Sequence, residues 1–511
     1  MTDNKVKLKD IFIGKIDGET ESQRDDFLDL FYTANSKYEE CLIDDKFIIS
    51  GKKGTGKTIL SKYIERQLNL SEDNFCKICS LKDFKLQKLI NLDNRNPSPD
   101  ELSFLWKWVI LIKFSEFILQ NHSIKRKIPF TCFNNLNKFY KKKYNDNIFK
   151  VVDVTTLKSI KDTKNASLKF IEKDKAECAA GISNEKQSQL TTHFKPKEYY
   201  ELLDTVEKLV NKCLKESKKI TLIFDDLDEL EGKVGDDTFY INLMISMLQT
   251  MKSINLLFQS NEINCKVIVL MRPDILDILH SHSSNLNKIT ADSEVELYWL
   301  PKNYDSPSEH PLMDLILTKI QRSTKGYSSL DKAELYDLLF GNKIEHKNVI
   351  DYLLDYSFGR PRDLIQYLNI IKQEYKNSTS FTPQHFKACL LKYSMWFYKE
   401  LINEISIHEN SEFIEESLSL IANFKNKFFN YASLEEFYNK NKDFYPHISS
   451  LTDAINCMYK FGVIGNSWKV GVKNGRSVYH SSWGYRQDAP SLPDYSKEFS
   501  VHFALRKKFS I

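Results

Sequence analysis

Glycine and proline are scarce in this chain, 16 and 13 among 511 residues, which excludes collagen-like and low-complexity architectures. No stretch is rich enough in either to be read as a disordered linker, and no internal repeat is evident. Long apolar runs are also missing. The nearest, residues 105–119, is interrupted by Lys107, Lys113 and Glu116, so it reads as a core helix and not a membrane span. The polar amino end lacks the apolar stretch of a secretory leader. Nine cysteines scattered through a long chain fit a reduced compartment, and a cytoplasmic location is expected. Cys76 and Cys79 form the one close pair. With no second pair or histidine nearby, they read as part of a half-buried strand before a metal or redox centre. A net charge of +4 is too small to argue for nucleic acid by itself. What remains is an ordinary globular composition, 41% hydrophobic and 28% charged, with length for several domains.

Against that scarcity, Gly51, Gly54 and Gly56 fall within six residues of one another. They belong to the run Gly51, Lys52, Lys53, Gly54, Thr55, Gly56, Lys57, Thr58. It follows the apolar strand Phe47-Ile48-Ile49 and opens a helix marked by Ile59, Leu60, Tyr63 and Ile64. This strand, glycine turn and helix is the P-loop pattern in its confirming context. Backbone N–H groups of such a turn point at phosphate oxygens. Lys57 would reach the β- and γ-phosphates, and the Thr58 hydroxyl would ligate Mg²⁺.

Further along, apolar strands alternate with helical periods. Strands fit residues 74–80, 220–224, 266–271 and 294–300; helices fit 25–41, 101–121, 196–217 and 237–261. The alternation predicts an α/β parallel sheet, whose ligands bind at the carboxyl ends of strands. The strand 220–224 runs into Asp225-Asp226, a pattern resembling Walker B. Asp225 would hold the Mg²⁺ shell and Asp226 would orient the attacking water. Arg272 ends the next strand, where a guanidinium can face a γ-phosphate; the alternative is a salt bridge to Asp274 or to the Walker B acids. Residues 122–195 read as an insertion, with a hairpin near 168–182. Between 125 and 150 it carries eight Lys or Arg against one acid, Asp146. Such a run is more often a solvated helix face than a nucleic-acid contact. From 308 to about 400 the period is helical. There Gly359, Arg360, Pro361 and Arg362 offer either a phosphate sensor or a routine proline helix start.

These motifs together resemble a group of prokaryotic P-loop ATPases related to the STAND, KAP and AAA+ families. The resemblance rests on Phe12, Gly14, Asp17, Glu19 and Glu21 (an FxGxxDxExE segment), on the Asp225-Asp226-Leu227-Asp228 Walker B, on Arg272, on Trp299 and on the GRPRD motif at 359–363. It covers roughly residues 10–400. It implies ATP with Mg²⁺ as ligands, phosphate sensing by Arg272 and by Arg360 or Arg362, and a lid closed over the base by Gly359-Arg360-Pro361. It also implies a slow ATP-driven switch that works as a homo-oligomer or with a partner protein, often in phage defence or conflict. Asp instead of Glu at 226, and the lack of an appended sensor or toxin domain, depart from self-contained STAND signalling.

The carboxyl-terminal residues read as three helices (413–424, one from 431 capped by Ser433, and 448–459) and a hairpin turning at Asn474-Gly475. That suggests a winged helix. Its third helix carries Asp453 and few cations; the wing carries Lys469, Lys473 and Arg476, and the tail Arg506, Lys507 and Lys508. Packing or partner binding is the preferred role, with DNA as the alternative. The expected architecture is therefore α/β. An amino-terminal segment (1–45) precedes a P-loop NTPase core (46–305), a helical lid (306–400) and a winged helix (401–511). The expected function is a slowly hydrolysing ATPase switch without membrane contact. The alternatives are a DNA-binding ATPase of origin-recognition or transposition-helper type, using the wing and the 122–150 stretch, and a non-hydrolysing nucleotide-stabilised scaffold.

Overall fold

The computed structural model describes residues 6–35, 37–80, 98–144, 197–217, 219–225, 238–301, 303–473 and 476–511. Asp226, the expected hairpin at 168–182 and the Asn474-Gly475 turn lie outside them. From the amino end, short helices α1 (Gly18–Ser22), α2 (Phe27–Leu30) and α3 (Tyr38–Cys41) lead to β1 (Ile48–Ser50) and α4 (Lys57–Leu68). Then come β2 (Asn74–Ser80), α5 (Pro99–Gln120), α6 (His122–Lys127), α7 (Phe130–Tyr144) and α8 (Lys197–Lys215). They are followed by β3 (Lys219–Asp225), α9 (Thr238–Ser260), β4 (Cys265–Met271), α10 (Pro273–His282), α11 (Ser284–Ser293) and β5 (Glu294–Glu296). The helical region holds α12 (Pro311–Ser323), α13 (Lys332–Phe340), α14 (Val349–Asp355), α15 (Pro361–Glu374) and α16 (Pro383–Ile405). Last are α17 (Ser411–Phe424), β6 (Phe428–Phe429), α18 (Tyr431–Lys440), α19 (Leu451–Lys460), β7 (Ile464–Lys473), β8 (Arg476–Ser482), β9 (Glu498–Val501) and α20 (Phe503–Phe509).

The chain divides into two compact units: Met1–Ser36 with Lys53–Ile59 and Leu297–Ile511, and Lys37–Lys52 with Leu60–Glu296. The second unit is built on a five-stranded parallel sheet in the order β2-β3-β4-β1-β5. Its central strands are continuous apolar runs because helices cover such sheets on both faces; Leu222, Ile223, Phe224, Val267, Ile268 and Val269 are all inaccessible to solvent. Helix α5 is predominantly apolar, with Trp106, Ile110, Phe114 and Ile118 buried and Lys107 paired with Glu207. Trp106 Nε1 donates to Leu243 O of α9 at 2.8 Å, and Phe114 meets Phe258 edge-on at 5.5 Å. Its start at Pro99 is set by a capping box between Ser98 and Glu101. No described helix is long and apolar enough to cross a membrane.

The first unit has one continuous core. It runs from Leu8, Ile11 and Ile13 through α12–α16 to Val501 and Leu505. Helix α16 passes through residue 400, and its Ser394 hydroxyl donates to Ala504 O of α20. The carboxyl-terminal helices pack with a four-stranded sheet in the order β6-β9-β7-β8. β7 and β8 form the expected antiparallel hairpin, with a register shift between Lys469 and Gly471.

Several local expectations are corrected. The helix expected over 25–41 is two short helices, α2 and α3, with Phe31 extended and a turn at Ala34-Asn35 between them. Tyr32 Oη donates to Asp314 at 2.7 Å and Asn35 Nδ2 to Tyr298 O at 3.1 Å, and these long-range bonds hold the segment out of helical form. Helix α18 is capped by Asn430, whose side chain accepts from Ser433 N, not by Ser433. Helix α19 begins at Leu451, capped by Ser450. β5 stops at Glu296, short of the expected 300. Within 122–195, residues 122–144 form the helices α6 and α7, as the helix-face reading of the basic run expects; α7 buries Cys132, Phe133, Leu136 and Tyr140.

Candidate functional site

The glycine turn is shaped as the sequence requires. β1 ends at Ser50, and Gly51 N donates to Met271 O at the end of β4, 3.2 Å away. Gly54 and Gly56 have φ of +85° and +105°, backbone that side-chain-bearing residues rarely adopt. α4 then opens at Lys57, with Lys57 and Thr58 half-buried in its first turn. Alternating-hand backbone of this kind makes an anion nest, in which successive N–H groups converge. A Cβ on Gly54 would also lie 3.0 Å from Arg362 Cβ, so the turn is closed on that side.

What closes it is the 359–363 motif. Gly359 has φ of +68°, and a Cβ there would strike the Leu300 side chain at 2.5 Å. Pro361 starts α15 in the manner expected of proline. Arg360 is buried. Its Nε donates to both Asp363 oxygens at 2.9 and 3.0 Å, and its Nη1 to Glu404 at 2.7 Å and to Lys53 O at 2.8 Å. Asp363, fully buried, also accepts from Phe358 N at 2.9 Å. Burial raises its carboxyl above the usual range against the pull of Arg360. Arg362 N donates to Gly54 O at 3.3 Å, and its Nη1 to Glu400 at 3.2 Å. Glu400 lies 3.9 Å from Lys53 Nζ, an amine that burial pushes below its usual range. On the next peptide, Trp299 Nε1 donates to Thr55 O at 2.8 Å.

The amino-terminal motif reaches the same place. Asp17 caps α1 by accepting from Glu19 N and Thr20 N, and its bond with the Thr20 hydroxyl holds the carboxyl below its usual range. A Cβ on Gly18 would lie 3.1 Å from Ile59, in the first turn of α4. Glu21, 2% exposed, pairs with Lys319 of α12 and accepts from Lys15 N at 2.6 Å.

In the sheet unit, β4 lies between β1 and β3, so Ser50, Asp225 and Met271 end neighbouring strands at one edge. Asp225 is 8% exposed. Arg272, 2% exposed, forks Asp274 with bonds of 2.9 and 2.7 Å, which is the salt-bridge alternative weighed from sequence. Cys76 and Cys79 are both buried in β2, with an odd spacing that puts them on opposite faces. Burial pushes the Cys79 thiol up to about 11. Among the described residues no cluster of three or more His, Cys, Asp or Glu could hold a metal.

The cationic candidates are scattered. Lys125, Arg126, Lys127 and Lys138 are exposed on α6 and α7, with Lys127 3.4 Å from Asp73. Lys469, Lys507 and Lys508 are exposed, as is Asp453 on α19. Arg506 is tied to Val501 O and Ser500 Oγ at 2.9 Å each. The side chains of Lys473 and Arg476 lie outside the described residues. Sequence reasoning gave no role to Trp299, Gly18 or Glu404. Trp299 carried the one available signal, its place among the motifs of the resemblance.

Residues 310–402, from the cap of α12 into α16, match the family described as the FunZ-associated C-terminal helical domain. That stretch includes the 359–363 motif and Glu400. No curated protein matches the chain.

Proposed function

We propose that the protein binds a nucleoside triphosphate with Mg²⁺ and hydrolyses it slowly as a conformational switch. The observation that carries the reading is the strand, positive-φ glycine turn and helix at residues 48–68, with Gly54 at +85° and Gly56 at +105°. On this reading the amides of residues 51–58 cradle the phosphates, Lys57 neutralises the β- and γ-phosphates and Thr58 ligates Mg²⁺. Asp225 joins the Mg²⁺ shell and Asp226 orients water. Strand order supports the assignment of Asp225. One strand separates β1 and β3, and both strands end at the same edge of the parallel sheet. Arg272 would serve as γ-phosphate sensor with its Nε and Nη2 held by Asp274. The resemblance in the motifs extends the reading to ATP, to an oligomer or partner protein, and to a defence setting.

A second reading is a DNA-dependent ATPase. It is favoured by the order α17, β6, α18, α19, β7, β8, compatible with a winged helix, and by the exposed cations of α6 and α7. One experiment separates them: MgATP binding and turnover by the purified protein, with and without duplex DNA, against Lys57→Ala. Binding lost in Lys57→Ala, with slow turnover indifferent to DNA, fits the switch. Strong stimulation by DNA favours the second reading, and no binding by the natural sequence sinks both.

A further inference from the structure

Three consecutive carbonyls of the glycine turn are each held by a donor from outside it. Lys53 O takes Arg360 Nη1 at 2.8 Å, Gly54 O takes Arg362 N at 3.3 Å and Thr55 O takes Trp299 Nε1 at 2.8 Å. In a trans peptide the carbonyl of one residue and the N–H of the next point in opposite directions. Fixing the oxygens of residues 53, 54 and 55 therefore fixes the directions of the amides of Gly54, Thr55 and Gly56. We infer that Trp299 and Arg360 are positioning residues for phosphate. They preset the anion nest by gripping its outer face, so that the amides are aimed before any ligand arrives. The inference rests on the nucleotide reading above.

The donors are built to stay put. Trp299 is 6% exposed and packs against Tyr32 with ring centroids 6.1 Å apart. Arg360 is 3% exposed and held by two carboxylates, Asp363 and Glu404. An arginine so neutralised presents one N–H to a backbone carbonyl without offering a free charge to the phosphate. Gly54 supplies the close approach, since any side chain there would meet Arg362 and Arg360. A nest held from behind has less freedom to lose on binding, and that is where affinity comes from in a preorganised site.

The test is MgATP titration of the full chain carrying Trp299→Phe, which keeps an aromatic ring and removes the N–H, beside the natural sequence and Lys57→Ala. Expected are a loss of affinity of up to about tenfold, the size of one neutral hydrogen bond, and a fall of only a few degrees in melting temperature without nucleotide, since Thr55 O loses its donor. KM should rise with kcat held within about twofold, because the nest binds ground and transition states alike. Should Trp299→Phe melt lower than that, the same titration with benzothienylalanine at 299, an indole-shaped residue lacking the N–H, decides. Natural affinity in the N–H-deleted protein overturns the inference while leaving the nucleotide reading intact. Failure of the natural sequence to bind MgATP overturns the nucleotide reading instead.

Discussion

Glu21→Gln is expected to cost the unit that contains it about 3–5 kcal/mol, because it leaves the Lys319 ammonium buried without its counter-charge. Glu21 and Lys319 are 2% and 3% exposed, so water cannot take over the solvation of either group. Glu21 also accepts from Lys15 N at 2.6 Å, and a Cβ on Gly14 (φ +131°) would lie 3.3 Å from both charged partners, so the pocket has no slack for a rearranged amide. At about 2–4 °C per kcal/mol for a unit of this size, the loss corresponds to a fall of roughly 6–20 °C in melting temperature. The assay is thermal and urea unfolding of the natural protein, Glu21→Gln, Lys319→Met and the double variant Glu21→Leu/Lys319→Met. The double variant removes both charges and should recover most of the loss, since apolar replacements of buried pairs are often neutral. A cost below about 1 kcal/mol for Glu21→Gln, the value of a surface pair, would refute the argument that this motif glutamate is a structural lock.

Two further outcomes follow from local geometry. Burial pulls His502 down to about 3 and His310 to about 4, while the unfolded chain takes up these protons near 6.5. Their contribution to stability is therefore full above pH 6.5 and lost as pH falls toward those values, about 2 kcal/mol per histidine at pH 5. Urea titrations across pH 4.5–7 should show His502→Phe, whose ring would still face Phe358, Phe397 and Trp483, with a shallower acid loss. Gly54→Ala should lower the melting temperature more than Gly56→Ala. Both force a positive φ on alanine, at about 1–2 kcal/mol, but only at Gly54 does the new methyl meet Arg362 at 3.0 Å. Equal effects would mean that the contact with the 359–363 motif is slack.

The elements with a strong local period were legible. The apolar strands around 48, 222 and 268, the core helix at 99–120 and the β7–β8 hairpin stand where periodicity and turn residues put them. Segments governed by distant partners were not. The 25–41 stretch has a helical period, yet Tyr32 and Asn35 bond to residues more than 260 positions away. At the site, the glycine turn was legible because its chemistry is local, and so was the alternative partner of Arg272, two residues on. The grip of Trp299 and Arg360 on the turn was not, since a donor 244 or 307 positions from its acceptor leaves no spacing to read.

The same long separations bear on how the chain is made. Leu8 N bonds to Ser378 O, Lys372 Nζ to Ile11 O and Asn369 Nδ2 to Gly14 O, all across more than 350 residues. Residues 8–14 leave the ribosome well before these partners, which follow only after more than 350 further residues have been added, on the order of half a minute of synthesis. Until then Leu8, Ile11 and Ile13, all buried in the finished core, are apolar side chains without a surface to cover them. A nascent chain of this protein is thus exposed to chaperones and proteases around residues 8–14, and truncation before α15 should leave those residues permanently unsheltered.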